Sequence, residues 1–129
     1  IKEEVEEDFK DGSKYISRYN SAGNFTERVS IDSYGAKEIL ETKKYDSNNR
    51  IIYEEWSYEK KILHYNGKGY LIREEILYKG DNRKSNKEIT FFEYDDKGNW
   101  IKSIESKFFD DNPLESPKKI ITERKITYR

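Results

Sequence analysis

One histidine, His64, and 26 Asp and Glu residues are the groups whose capacity for proton transfer invites a catalytic reading. An imidazole is the side chain whose ordinary pKa suits proton transfer near pH 7. His64 stands immediately before Tyr65, and the corresponding positions elsewhere in the chain hold Arg18, Lys44 and Glu93. A slot that accepts three other charged side chains is a solvated one, so His64 reads as a surface residue. No Gly-x-Ser-x-Gly turn offers it a strained serine nucleophile. Glycoside hydrolysis needs two carboxyls roughly 5 to 9 Å apart. Glu54-Glu55, Glu74-Glu75 and Asp95-Asp96 are adjacent in sequence, and neighbours on a strand point to opposite faces. Solvated rows of cross-strand Lys-Glu pairs, worth about 0.2 to 1 kcal/mol each, account for such carboxylates. Asp46-Ser47-Asn48 opens like a calcium loop with alternating oxygens, but Arg50 takes the next ligand position and no Gly with a following bidentate Glu appears at the required spacing. Asp110-Asp111-Asn112 is similarly bare. Asn24-Phe25-Thr26 has the form of a glycan acceptor, a pattern common by chance, and it leads into a strand. We therefore expect no catalytic residue, no metal ligand and no cofactor.

The two tryptophans differ. Trp100 shares its place after a turn with Phe25, Ile51 and Leu71, so bulk alone explains it. Trp56 corresponds to Ser30, Ile76 and Glu105, a position that does not demand an apolar group. Tyr58 has the same strand parity. A Trp and a Tyr on one exposed sheet face can stack on sugar rings or anchor a protein partner, which makes Trp56 and Tyr58 the candidate binding residues.

The chain that must position these residues has 129 residues, 40% charged and 33% hydrophobic, with net charge -1. Such a length suits one domain over residues 1–129, burying about two-thirds of its unfolded surface. Without cysteine there is no disulfide framework, thiol nucleophile or zinc finger. Apolar runs stop at two or three residues, far short of the ~20 of a membrane helix. Lys and Glu are interspersed, so no basic field invites nucleic acid. The chain starts at Ile1 rather than Met, from which we expect a leader, an anchor or part of a longer polypeptide to have been removed or left out.

Two Ala against fifteen Ile, with 15% aromatics, favours strands over helices. Alternating runs punctuated by Gly, Asn and Asp place strands near 3–10, 14–19, 24–32, 37–45, 50–58, 60–65, 70–79, 87–94, 99–109 and 119–128. A pentad recurs between them: Tyr19-Asn20-Ser21-Ala22-Gly23, Tyr45-Asp46-Ser47-Asn48-Asn49, Tyr65-Asn66-Gly67-Lys68-Gly69 and Tyr94-Asp95-Asp96-Lys97-Gly98. The Asn or Asp can cap a type I turn, and the Gly or Asn three positions on tolerates a left-handed backbone, which together make a bulged hairpin loop. The large apolar residue that follows, Phe25, Ile51, Leu71 or Trp100, should pack on the Tyr that entered the turn. Asp11-Gly12 and Ser33-Tyr34-Gly35 read as looser turns. The longer connections from Gly80 to Asn86 and from Asp110 to Pro117 break the rhythm, the second holding both Pro113 and Pro117.

This Y-[DN]-x-x-[GN]-x-apolar pattern, over roughly residues 15–105, resembles the YD repeats of the Rhs and teneurin type. Asp46, Asp95 and Arg50 match that motif, Asn20, Asn66, Asn24, Tyr70 and Asn99 depart from it, and its second aromatic survives only as Phe92. The resemblance implies strand-rich, non-catalytic repeats that enclose or present other segments. The stretches Glu93 to Lys102 and Thr122 to Tyr128 are also similar to uncharacterised bacterial envelope proteins carrying a few such hairpins.

The expected fold is all-β, an antiparallel meander of eight to ten strands built from repeated hairpins, curled or partly a single layer, with residues 1–13 frayed or forming an edge strand. Adjacent apolar residues near the turns, Ile51 with Ile52 and Trp100 with Ile101, suggest that both faces are covered there, whereas Glu54-Glu55 and Arg73-Glu74-Glu75 suggest two wet faces mid-strand. The expected function is a non-catalytic structural or protein-interaction module of the bacterial envelope or secreted fraction, with a protein partner or self-association through sheet edges. A toxin-neutralising immunity protein is a special case of it. A glycan-binding module using Trp56 and Tyr58 is the alternative, and a small hydrolase the third reading.

Overall fold

The computed structural model describes residues 3–79, 87–108 and 118–128. The chain is an all-β antiparallel meander, with no helix among the described residues. Its strands are β1 (Glu3–Asp8), β2 (Lys14–Tyr19), β3 (Phe25–Ile31), β4 (Lys37–Tyr45), β5 (Ile51–Trp56), β6 (Glu59–Tyr65), β7 (Leu71–Tyr78), β8 (Lys87–Tyr94), β9 (Trp100–Phe108) and β10 (Lys118–Glu123). They fall into two compact units, residues 1–57 with β1 to β5 and residues 58–129 with β6 to β10. The expected connections at Gly80 to Asn86 and Asp110 to Pro117, with both prolines and the Asp110-Asp111-Asn112 stretch, lie outside the described residues.

Within each unit a described strand touches only its neighbours in chain order, so each unit is a single layer. That arrangement leaves little to bury. Ile16 on β2 and Val29 on β3, directly paired across the ladder, are the only described apolar residues below a tenth exposed, and Ser106 on β9 is the only polar one. Cross-strand contacts carry the rest. On the same face as Ile16 and Val29, the Arg18 guanidinium bridges Glu27 at 2.6 Å and Glu4 at 3.0 Å. In the second unit Glu75 accepts from Lys87 at 2.9 Å and has Arg73 at 3.6 Å.

The turn chemistry is regular. In each of the loops starting at Asn20, Asp46, Asn66 and Asp95 the first residue's amide donates to the carbonyl four positions on, and its carbonyl accepts from the residue three positions on. That third residue is left-handed, Gly23, Gly69 and Gly98 at φ 82°, 86° and 84°, and Asn49 at 60°. The register slips by one residue beside Tyr19, Tyr45, Tyr65 and Tyr94. The slip resets the side-chain alternation. Ile51 pairs with Tyr45 and Tyr53 with Lys44, so Ile52 is the extra residue, and Ile101 is its counterpart between Trp100 and Lys102. Consecutive apolar residues after the turns therefore mark a bulge rather than plain alternation.

Asp32 to Ala36 is not a looser turn. Its backbone bonds match those of the Tyr-led loops, with Gly35 at φ 87°, although Ile31 stands where they have Tyr. Its register slip lies deeper, between Arg28 and Val29, which leaves Leu40 as the extra residue on β4. Residues 3–8 are a fully paired edge strand on β2. The last expected strand, 119–128, ends at Glu123. Arg124 still donates its amide to Ile101, but its guanidinium settles over the Trp100 ring, 4.3 Å from the centroid, and the chain leaves the ladder.

Candidate functional site

Alternation on a strand and pairing between strands decide which side chains meet. In the first unit β5 presents Trp56 and Glu54 on one face, opposite Glu41 and Lys43 of β4. Glu41 in turn pairs with Arg28 of β3, whose strand neighbour Ser30 pairs with Tyr15 of β2. The bulge adds Leu40 to this face, so Leu40 and Glu41, though adjacent in sequence, both line it. The result is an open groove of about 660 Å³ walled by Tyr15 and Trp56, with Arg28, Leu40 and Lys43 between them.

The charges in the groove are sorted unevenly. Lys43 lies 3.6 Å from Glu41 and 3.7 Å from Glu54, serving both carboxylates. The Arg28 guanidinium lies over the Tyr15 ring, 4.7 Å from its centroid, and the buried Nε has no hydrogen-bond partner. An unpaired buried donor costs about 1 to 3 kcal/mol, so the position is not set by local bonding alone. Phe9 steadies Tyr15 from the edge, with ring centroids 5.2 Å apart. Arg73 in the second unit also has an unpartnered Nε, but its guanidinium faces Glu75.

Of the two residues expected to bind, Trp56 lines this groove as the last residue of β5. Tyr58 does not share its strand. The strand ends at Trp56, and Ser57-Tyr58 forms a turn, so the parity that paired them does not apply. Tyr58 belongs to the second unit, is 64% exposed, and accepts the Lys79 amide at its carbonyl. Tyr15, Arg28 and Leu40 were not singled out from sequence, because their common face appears only once the register and the Leu40 bulge are known.

The expected turn residues do work together. Oδ1 of Asn20, Asp46, Asn66 and Asp95 each accepts two amides, from the residues two and four positions on, at 2.8 to 3.0 Å. Asp32 caps its own turn the same way. Adjacent turns within a unit are stitched by tyrosines: Tyr45 donates its hydroxyl to the Phe25 carbonyl at 2.7 Å, and Tyr94 to the Leu71 carbonyl at 2.6 Å. Tyr19 packs edge-on against Phe25, as expected of the residue entering a turn. Tyr65 pairs directly with Leu71 across its own ladder. Tyr128 closes onto the last turn, donating to Asp95 and accepting from the Asn99 side chain, with Lys97 over its ring.

These bonds set the ionisation of the turn carboxylates. The Arg50 and Asn48 amides hold Asp46 below the usual carboxylate range, and the Tyr128 hydroxyl with the Asn99 and Lys97 amides does the same to Asp95. A carboxyl whose folded pKa is lowered contributes stability above its unfolded value, about 4, and that stability is lost as pH falls through the folded value. Wild-type protein is therefore expected to exceed Asp46→Asn and Asp95→Asn in stability at pH 7, with the gap narrowing as pH falls below the unfolded value of about 4. Urea midpoints above and below that value check this, and a gap that did not change with pH would refute it.

His64 is exposed on β6, directly opposite Arg73. Glu54 faces Lys43, whereas Glu55 accepts the Tyr53 hydroxyl at 2.7 Å; burial and then this carboxylate push Tyr53 up to about 12. Glu75 is held low, chiefly by Lys87. A general acid for sugar hydrolysis needs the opposite, a carboxyl pushed up. No cluster of three or more His, Cys, Asp or Glu side chains suited to a metal occurs among the described residues. No helix long and apolar enough to cross a membrane occurs among the described residues. No protein-family model matches the chain, and no curated protein matches it.

Proposed function

We propose that the chain is a non-catalytic interaction module of the YD-repeat kind, of the bacterial envelope or secreted fraction, that joins copies of itself through its edge strands. The contrast between those two strands carries the reading. β1 reads Glu-Glu-Val-Glu-Glu-Asp, is exposed at every position and, among the described residues, pairs with β2 alone. β10 reads Lys-Lys-Ile-Ile-Thr-Glu, is likewise exposed throughout and, among the described residues, pairs with β9 alone. Each leaves a row of amides and carbonyls able to accept another strand.

Like charge keeps β1 from pairing with β1 of another copy. Opposite charge favours β10 against β1. With Ile121 (58% exposed) set antiparallel to Val5 (45% exposed), Lys118 falls opposite Asp8 and Lys119 opposite Glu7. Such a head-to-tail contact uses two different surfaces and leaves one edge free on each end of a pair, so it can add further copies. The bond rows supply affinity and the charged pairs supply register.

Sedimentation across protein concentration is expected to show association that weakens with salt, as exposed ion pairs do. Lys118→Glu with Lys119→Glu should weaken it about tenfold or more, and mixing that variant with Glu7→Lys, Asp8→Lys protein should restore a mixed complex. A monomer at every concentration, or a charge reversal without effect, sinks the proposal.

A further inference from the structure

We infer that the groove between Tyr15 and Trp56 binds a carboxylated sugar, as in a glycan containing uronic or muramic acid residues. This goes beyond the edge-strand reading and does not depend on copies associating. Its first support is shape. β2 and β5 are three strand spacings apart, about 14 Å, which is the span of two to three pyranose rings laid across the strands. Tyr15 and Trp56 stand at the two ends of that span; the Tyr15 ring already carries Arg28, so the stacking face for the apolar side of a pyranose is that of Trp56.

The second support is the uneven pairing of charge. Glu41 and Glu54 are both held by Lys43, while Arg28, on one of the two inner strands of the groove, has no ion pair among the described residues. A guanidinium fork matches a carboxylate in one plane. A carboxylate on the glycan would accept from it while a sugar ring packs on Trp56. The groove is formally balanced, two cations against two carboxylates, so a phosphate dianion would be repelled by Glu41 and Glu54 where a single carboxylate is tolerated. The same carboxylates can accept from sugar hydroxyls. Leu40, brought into the groove by the bulge, supplies an apolar floor.

The test is calorimetry with trigalacturonate, a hyaluronan tetrasaccharide and N-acetylmuramic acid, each beside its methyl-esterified form, on the full chain. At least one acid form should bind saturably, and its ester, with the same ring but no charge, at least tenfold more weakly. Arg28→Lys keeps the charge but loses the fork and should weaken binding about tenfold. Trp56→Phe should weaken it while leaving the far-ultraviolet spectrum and melting curve unchanged. Arg28→Gln should abolish the preference for acid over ester. No binding by any acid form, equal binding of acid and ester, or an Arg28→Gln protein that keeps the preference would each overturn the inference. Because the edge-strand variants Lys118→Glu and Lys119→Glu leave this groove untouched, they should bind as the wild type does, which separates failure here from failure of the association proposed above.

Discussion

Gly98→Ala is expected to destabilise the protein by about 3 kcal/mol, against about 1 kcal/mol for Gly23→Ala, although the two glycines have nearly the same backbone angle. Gly23 and Gly98 lie at φ 82° and 84°, in equivalent places of equivalent turns, so the left-handed strain on an alanine is common to both. What differs is the surroundings. A Cβ at Gly23 meets nothing within 4 Å, whereas at Gly98 it would come within 2.5 Å of the Tyr70 hydroxyl oxygen and 2.9 Å of its ring carbon. Tyr70 cannot swing away freely. Its ring lies 4.9 Å from that of Tyr94, which is itself bonded to the Leu71 carbonyl, and its amide is held by Asn66. Overpacking of that kind adds about 1 to 3 kcal/mol to the strain. Tyr70→Phe removes the nearest atom, so Gly98→Ala should cost less in that background than in the wild type. Urea midpoints of the four proteins measure the coupling. Equal costs at Gly23 and Gly98 would mean that the turns of the second unit are not packed against one another.

That difference shows where sequence stops being sufficient. The Tyr-Asn and Tyr-Asp pentads locate four turns because Asn, Asp and Gly act through their own backbone, and a local rule needs only local residues. Asp32 obeys the same rule and was underrated only because Ile31 replaced the tyrosine, which belongs to the stitching between hairpins rather than to the turn. Period-two reading fails wherever the ladder slips. It misses the unpaired Ile52, gives Tyr58 a strand position beyond the end of β5, and hides the Leu40 bulge that brings the groove residues to one side. The stretch from Thr122 to Tyr128 alternates like a strand to its end. Its departure after Glu123 follows from contacts with Trp100 and Asp95, which lie more than twenty residues earlier in the chain. Of the candidate site, Trp56 was legible because its counterparts in the other repeats are not uniformly apolar. Arg28 was not, since an arginine without a partner looks like any other until the neighbouring carboxylates are seen to belong to Lys43.

Ile16→Ala is expected to cost about 2 to 3 kcal/mol, a large share of what a small domain has. Ile16 is 7% and its direct partner Val29 5% exposed, and they cover each other across the β2–β3 ladder. Truncation removes most of that cover. The cost should stay in the lower part of the range for such changes, because the surrounding hollow of about 290 Å³, shared with Ile31 and Ile39, opens to water and a truncated site can be solvated. Ile39 provides the contrast. It pairs with Val29 on the same face but is 61% exposed, so Ile39→Ala should cost less than about 0.5 kcal/mol, as surface changes do. Thermal or urea unfolding of both variants, each at low and high protein concentration, gives the comparison. A small, concentration-independent cost at Ile39 beside a large one at Ile16 is what a single-layer unit with one short apolar seam requires. A cost at Ile39 that approached that at Ile16 and grew with concentration would instead mean that a second copy covers this face, and association would then run through the sheet face rather than through β1 and β10.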